Sequence, residues 1–324
     1  MAEPSAALVD EAARPGAAGV AALAATLSVR GLAGGLVRTA RPRQWVKNVL
    51  VLAAPVAAGR LLSVQAVGQL FVVFVLFTAC ASAVYLINDA RDAEADRAHP
   101  VKRARPVACG QVPVSVAYAT GGALAVLAPA AAAVLCTPDT AALLLGYVLI
   151  QLAYCLWLKH MLVIDLAVVT TGFLMRAMAG GLTLHIDLSR WFLITSGFGA
   201  LFMVAAKRYS ELVLMSAQDG EIGASRALLG EYTTGYLRFV WQLAAGVAVL
   251  AYCLWAMETG GSPAGWLPWR QLSMIPFILS VLRYAVFADA GTAGEPEDVV
   301  LRDRTLVLIG LVWGALYVLA VVNT

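Results

Sequence analysis

The sequence predicts an all-α integral membrane protein, a bundle of about nine transmembrane helices with a polar cavity facing the cytosol. Three observations carry that prediction. Hydrophobic residues make up 61% of the 324 and charged residues only 13%, with a mean hydropathy of +0.79; a soluble domain carries about 25% charged residues. The apolar residues fall into stretches long enough to cross ~30 Å of hydrocarbon. The cations gather at alternate ends of those stretches, as positive-inside anchoring requires.

Taken in order, residues 1–38 read as a disordered or weakly amphipathic cytosolic lead-in, Ala/Gly-rich with scattered charges. They lack a compact apolar region before a cleavage site, so a secretory signal is not expected. Residues 39–324 form the membrane domain. Spans are expected at 45–62, 66–87, 113–135, 139–158, 162–184, 191–214, 236–257, 271–289 and 304–323. With the N-terminus in the cytosol, every Lys and Arg except Arg60, Arg176, Arg190 and Arg270 lies in or beside a cytosolic segment. The expected location is therefore the plasma membrane, N-terminus in and C-terminus out, with the working surface at the cytosolic mouth. The five cysteines are scattered and never form CxxC, so neither a disulfide framework nor a zinc site is expected. The three histidines are too dispersed for a metal site.

Chemistry concentrates between Tyr85 and Pro106. If Ser82–Asp96 is helical, residues advance by about 100° each, so Asp89, Asp92 and Asp96 share one face with Asn88 at its edge. Carboxylates stacked in this way repel unless a cation lies between them. Hard oxygen ligands completed by substrate phosphates suit Mg²⁺. Immediately after come Lys102, Arg103 and Arg105, bracketed by Pro100 and Pro106, placed to take the rest of a polyanion. The plainer alternative is a hydrophilic membrane-surface loop with ordinary positive-inside anchors.

Other candidates sit at cytosolic ends. Arg41-Pro42-Arg43-Gln44-Trp45-Val46-Lys47-Asn48 begins the first span, where Lys47 and Asn48 are placed for a lipid phosphate and Trp45 for the interface. Tyr154, Lys159 and His160 precede Asp165 at the next boundary. Arg176 falls inside a span, where a charge faces the bundle interior or a wet cavity; a purely structural pairing is the alternative. Lys207-Arg208-Tyr209-Ser210-Glu211 closes the sixth span, with Lys207 and Glu211 also spaced to pair with each other. No P-loop, GxSxG or dinucleotide fingerprint is present. A transporter would carry matched broken helices near mid-membrane, and no such pair is evident.

The run Asn88-Asp89-Ala90-Arg91-Asp92-Ala93-Glu94-Ala95-Asp96 resembles the NDxxDxxxD motif of the UbiA superfamily of intramembrane prenyltransferases. Arg41-Pro42 with Trp45, Lys47 and Asn48, and Tyr154 with Lys159, resemble further superfamily positions; the similarity spans residues 38 to 323. It implies a nine-helix bundle whose cavity opens to the cytosol and laterally to lipid, with Mg²⁺ on Asp89, Asp92 and Asp96. Members typically carry a second aspartate-rich motif on the sixth helix, where this chain has Lys207–Glu211. That departure, with stretches such as Phe173–Gly181 and Gly294–Asp298, is similar to one branch that joins 5-phosphoribosyl 1-pyrophosphate (PRPP) to a polyprenyl (decaprenyl) phosphate. That branch releases pyrophosphate and feeds the arabinose donor of cell-wall arabinan.

The resemblance thus implies an Mg²⁺-dependent phosphoribosyltransferase. Asn88, Asp89, Asp92 and Asp96 would be catalytic. Lys102, Arg103, Lys159, Lys207 and Arg208 would hold the phosphate charges of PRPP, Lys47, Asn48 and Arg176 the lipid head group, and Arg105, Tyr154, Asp165 and Glu211 would also be substrate-binding. Membrane lipid is a further expected partner, a homo-oligomer is left open, and no nucleic acid is expected. Two alternatives stay open on sequence: prenyl transfer from a prenyl pyrophosphate to an aromatic acceptor, and a lipid-phosphate transporter or scaffold.

Overall fold

The computed structural model describes residues 29–60, 63–217, 229–258 and 267–322, and these contain helices and no strands. A bilayer leaves backbone groups no water to bond, so each segment must satisfy its own N–H and C=O groups, which a helix does. Most of the lead-in, residues 1–28, lies outside the described residues. Its remainder belongs to helix α1 (Val29–Thr39), whose Leu32 and Leu36 pack on a small cluster with Leu86 and Val112. Gln111 fastens it by donating to the Gly31 carbonyl at 2.9 Å.

The first expected span, 45–62, is not one α-helix. A 3-10 segment (Pro42–Leu52) leads into the short α2 (Ala53–Ala57). Pro55 has no N–H to give the Val51 carbonyl, so a regular α-helix cannot run through that point. The Val51 carbonyl instead faces Gly180, where an added methyl would run into it. Gly180→Ala is therefore expected to destabilise the protein by ~1–3 kcal/mol or more through overpacking, seen as a lower melting temperature in detergent.

Helix α3 (Val64–Arg91) is the central element, N-capped by Ser63, which accepts from the Ala66 N–H at 3.1 Å. Its Leu70, Val73, Phe77 and Cys80 are fully buried among Leu144, Tyr147 and Met175. The helix stops at Asp92 (φ −86°, ψ 6°), and a separate short helix, α4 (Ala93–Ala98), follows. The helix expected over Ser82–Asp96 is thus broken at its middle carboxylate. A turn at Lys102–Ala104 leads to α5 (Val114–Leu135), α6 (Pro138–Leu156) and α7 (Ile164–Thr183). Helices α8 (Arg190–Ala217), α9 (Thr234–Glu258), α10 (Trp269–Leu272) and α11 (Met274–Asp289) follow, then α12 (Pro296–Arg302) and α13 (Arg304–Val322). A second core joins Phe202, Leu237, Trp241 and Tyr284 across α8, α9 and α11.

Among the described residues, six segments are long and apolar enough to cross a membrane: α3, α5, α6, α7, α9 and α10–α11 together. The pair α12–α13, bent by 83°, makes a seventh. Helix α8 matches α3 in length at 28 residues but is too polar to count with them. The nine regular spans expected from sequence are therefore six or seven by these criteria, because the first is short and kinked and the sixth carries working polar groups.

At the bend, Asp303 caps α13 by accepting from the Leu306 N–H at 2.7 Å and binds Arg283 at 2.7 Å. Asp303→Asn removes that ion pair, and with Arg283 38% exposed the loss should be modest, ~0–1 kcal/mol, read as a slightly lower melting temperature.

Candidate active site

The break at Asp92 sorts the three carboxylates. Asp89 and Asp96, 3% and 4% exposed, both accept from the same Arg105 nitrogen, Nη1, at 3.2 and 2.7 Å. Asp89 also binds Arg41 Nη2 at 2.7 Å. Asp92 lies apart and faces Lys159 Nζ at 3.4 Å. Asn88 reaches Asp89 only at 3.5 Å. The acids do not splay into solvent; they form a ledge neutralised by three of the chain's own cations.

Arg41 is held to this task by its backbone. It adopts a left-handed conformation (φ 55°, ψ 66°) before Pro42 and lays its guanidinium over the Tyr85 ring, 4.7 Å from the centroid. A non-glycine residue persists in that region only where its surroundings fix it. Lys102 and Arg103 stand on the adjoining turn, neither paired with an acid among the described residues, and Arg103 is exposed. They are the cations of the 102–105 group left for a ligand.

Among the described residues, no three acidic, Cys or His side chains are arranged to hold an ion unaided. Two carboxylates nonetheless converge on one point, and the positive group there is the Arg105 guanidinium. Two hard oxygen donors fit a Mg²⁺ ion that takes the rest of its shell from water and substrate phosphate.

A second group lies deeper. Arg176, 8% exposed on α7, donates to Asn48 Oδ1 at 2.8 Å, the Gly172 carbonyl at 2.6 Å and the Tyr147 hydroxyl at 2.8 Å. The rings of Phe77, Tyr147 and Phe173 face its guanidinium at 5.0, 4.9 and 5.8 Å. Asn48 is itself fixed by donating to Thr78 Oγ1 at 3.0 Å. No carboxylate among the described residues pairs with Arg176. Lys47 and Lys207 lie within electrostatic reach of one another, and Lys47 also of Arg176. Lys47 has one loose acidic partner, Glu297 at 3.8 Å, and Lys207 has Glu211 at 4.0 Å. This is a partly buried positive pocket with weak internal compensation.

The third group is already satisfied. Arg208 grips Asp165 through Nε at 3.2 Å and Nη2 at 3.1 Å, and Tyr154 donates to the same carboxylate at 2.6 Å. Glu211 adds a 3.3 Å contact to Arg208. These four predicted site residues bind each other and tie α6, α7 and α8 together.

Beside the Pro42–Leu52 segment that carries Lys47 and Asn48 lies an apolar cavity of about 700 Å³. Val46, Val49 and Leu50 line one side, and Tyr252, Trp255, Phe277, Trp313 and Tyr317 the other. Tyr317 donates to the Ala57 carbonyl at 2.7 Å, joining α13 to α2 across it.

Arg41, Tyr147 and Glu297 belong to the site but were not among the residues expected to act in it. Arg41 carried a signal, its position before Pro42 at the mouth of a span. Tyr147 did not, since a tyrosine within an apolar run reads as core.

A helical membrane bundle with an acid–cation ledge, a partly buried positive pocket and an apolar cavity beside the same segment defines an intramembrane protein with charged and apolar surfaces in one site. The chain belongs to the UbiA prenyltransferase family, whose profile matches residues 49–300. It is 50% identical over 286 residues to a decaprenyl-phosphate phosphoribosyltransferase of Mycobacterium tuberculosis, covering 87% of this chain and 92% of that one. The Corynebacterium glutamicum protein of the same name is 46% identical over 297 residues, covering 90% and 88%. A UbiA homologue from Archaeoglobus fulgidus bound to DMAPP and Mg²⁺ superposes with a TM-score of 0.66 at 16% identity, covering 89% of this chain and 99% of that one. At that identity the likeness shows the fold.

Proposed function

We propose that this protein transfers 5-phosphoribose from PRPP to a polyprenyl phosphate, decaprenyl phosphate, releasing pyrophosphate at the cytosolic face of the plasma membrane. The observation that carries the reading is the near full-length identity to phosphoribosyltransferases of that name. The site supports it: where a second acidic motif would hold a prenyl pyrophosphate, Lys207 and Arg208 stand. The product would supply the arabinose donor of cell-wall arabinan. The bundle would contain nine membrane-embedded segments, counting the kinked first one and α8, with its cavity open to the cytosol.

Asp89 and Asp96, with Asp92 across the break from them, would hold a divalent cation, Mg²⁺, which would supply charge neutralisation to the departing pyrophosphate. Arg105 and Arg41, beside those acids, would bind substrate phosphate, and Lys102, Arg103 and Lys159 would take the remaining charge, including the 5-phosphate. Asn88 orients a ligand beside Asp89. Asp165, Tyr154 and Glu211 hold Arg208 in place, so their part in substrate binding is to position it. The polyprenyl tail lies in the apolar cavity and its phosphate at Lys47, Asn48 and Arg176. That phosphate is an anion at pH 7, so its oxygen attacks ribose C1 while the C1–O bond to pyrophosphate breaks and the electron pair leaves with pyrophosphate. No general base is required; positioning and electrostatics carry the rate.

The test is on the purified protein. Arg176→Leu should raise the KM for polyprenyl phosphate by at least about tenfold, the worth of a lost hydrogen bond to a charged group, with the KM for PRPP little changed. An equal rise in both would place Arg176 in the scaffold.

A further inference from the structure

Tyr284, on α11, is 3% exposed, and its hydroxyl has no hydrogen-bond partner among the described residues. Buried hydroxyls are almost always bonded, and one left alone calls for a reason. Its helix face supplies one. Phe277, which lines the apolar cavity, lies two turns earlier on the same face of α11. Tyr284 lies beyond the residues that line the cavity, in the core with Phe202 and Trp241, its ring edge-on to Phe202 at 5.4 Å, and Val299 of α12 packs on that same core. The charged group within electrostatic reach of its hydroxyl is Glu297, in the first turn of α12. Glu297 in turn makes the loose 3.8 Å pair with Lys47, and the residue beside Lys47, Val46, lines the facing cavity wall.

An unbonded donor, a loosely paired lysine and the carboxylate that holds it thus lie together beside the segment that lines the apolar cavity. We propose that Tyr284 donates a hydrogen bond to the phosphate of the isoprenoid acceptor, and that Glu297 holds that phosphate's seat beside Lys47 in the lipid-free protein. This rests on the acceptor being a lipid phosphate. Tyr284 is then a substrate-binding residue, and Glu297 is an internal competitor that the incoming phosphate displaces from Lys47.

The test uses farnesyl phosphate as the probe, farnesol as the control without phosphate, and the full chain in detergent. Farnesyl phosphate should raise the melting temperature of wild type, and farnesol should raise it less. Tyr284→Phe removes only an unbonded oxygen, so its melting temperature without ligand should equal or exceed wild type. It should lose most of the farnesyl phosphate shift and raise the KM for the isoprenoid phosphate about tenfold, with the KM for PRPP unchanged. Glu297→Gln should act oppositely, lowering the KM for the isoprenoid phosphate alone. A Tyr284→Phe protein with an unaltered farnesyl phosphate shift and KM, or a Glu297→Gln protein that binds the lipid more weakly, overturns the proposal. If wild type shows no shift with farnesyl phosphate and no transfer from PRPP, the lipid-phosphate reading fails and the proposal with it. An active wild type with an indifferent Tyr284→Phe removes the proposal alone.

Discussion

Asp92→Asn is expected to reduce Mg²⁺-dependent transfer by about three orders of magnitude while leaving the fold intact. The two effects separate because Asp92 is the least buried of the three carboxylates. Its side chain is 30% exposed and its partner Lys159 26%, at 3.4 Å. A pair that accessible contributes only ~0–1 kcal/mol to stability. Neutralising the charge on a departing pyrophosphate contributes several kcal/mol to the barrier, and each ~1.4 kcal/mol is tenfold in rate. Activity should therefore collapse while the melting temperature moves little. Asp89→Asn is a poorer probe of the same idea, because it leaves Arg41 and Arg105 facing a neutral group at a buried position. Steady-state rates against Mg²⁺ concentration, with melting curves on the same preparations, make the comparison. Full activity in Asp92→Asn would remove its metal role.

Asp165→Asn is expected to do the reverse and act first on stability. Asp165 is 4% exposed and Arg208 11%, joined by two hydrogen bonds across α7 and α8. Removing one partner of a buried pair costs ~3–5 kcal/mol, chiefly because the other charge stays buried and uncompensated. The melting temperature should fall by several degrees. Arg208→Gln added to Asp165→Asn should recover part of that loss, since the stranded charge is gone. Tyr154→Phe should cost less, ~1.5–3 kcal/mol, the worth of one hydrogen bond to a charged group. An Asp165→Asn protein of normal stability but no activity would instead place the carboxylate on substrate.

The helical bundle was legible because hydropathy is a composition signal that survives small errors of boundary. The first span was misread for a local reason: Pro55 and Val51 interrupt a run whose average hydropathy still resembles a helix. The acidic stripe was half legible. Periodicity grouped Asp89, Asp92 and Asp96 on one face, but it assumed an unbroken helix. The turn at Asp92 sends that side chain to Lys159, while Asp89 and Asp96 remain together on Arg105. Pairings across the chain, such as Arg41 with Asp89 or Lys47 with Glu297, depend on helix packing that no local pattern encodes. For the same reason Asp165 and Glu211 looked available to a ligand when each already holds Arg208. Tyr284 was invisible, since only its missing partner distinguishes it from a core tyrosine.

The central claim is that an acid ledge balanced by Arg41, Arg105 and Lys159 hands its anions to a divalent cation and its cations to a sugar diphosphate. It is tested most directly by giving the purified protein radiolabelled PRPP with polyprenyl phosphate and, separately, labelled prenyl pyrophosphate with an aromatic acid. Label passing from PRPP into the lipid fraction, only when Mg²⁺ is present, is the predicted result. Label from prenyl pyrophosphate on the aromatic acid, with none moving from PRPP, would contradict it.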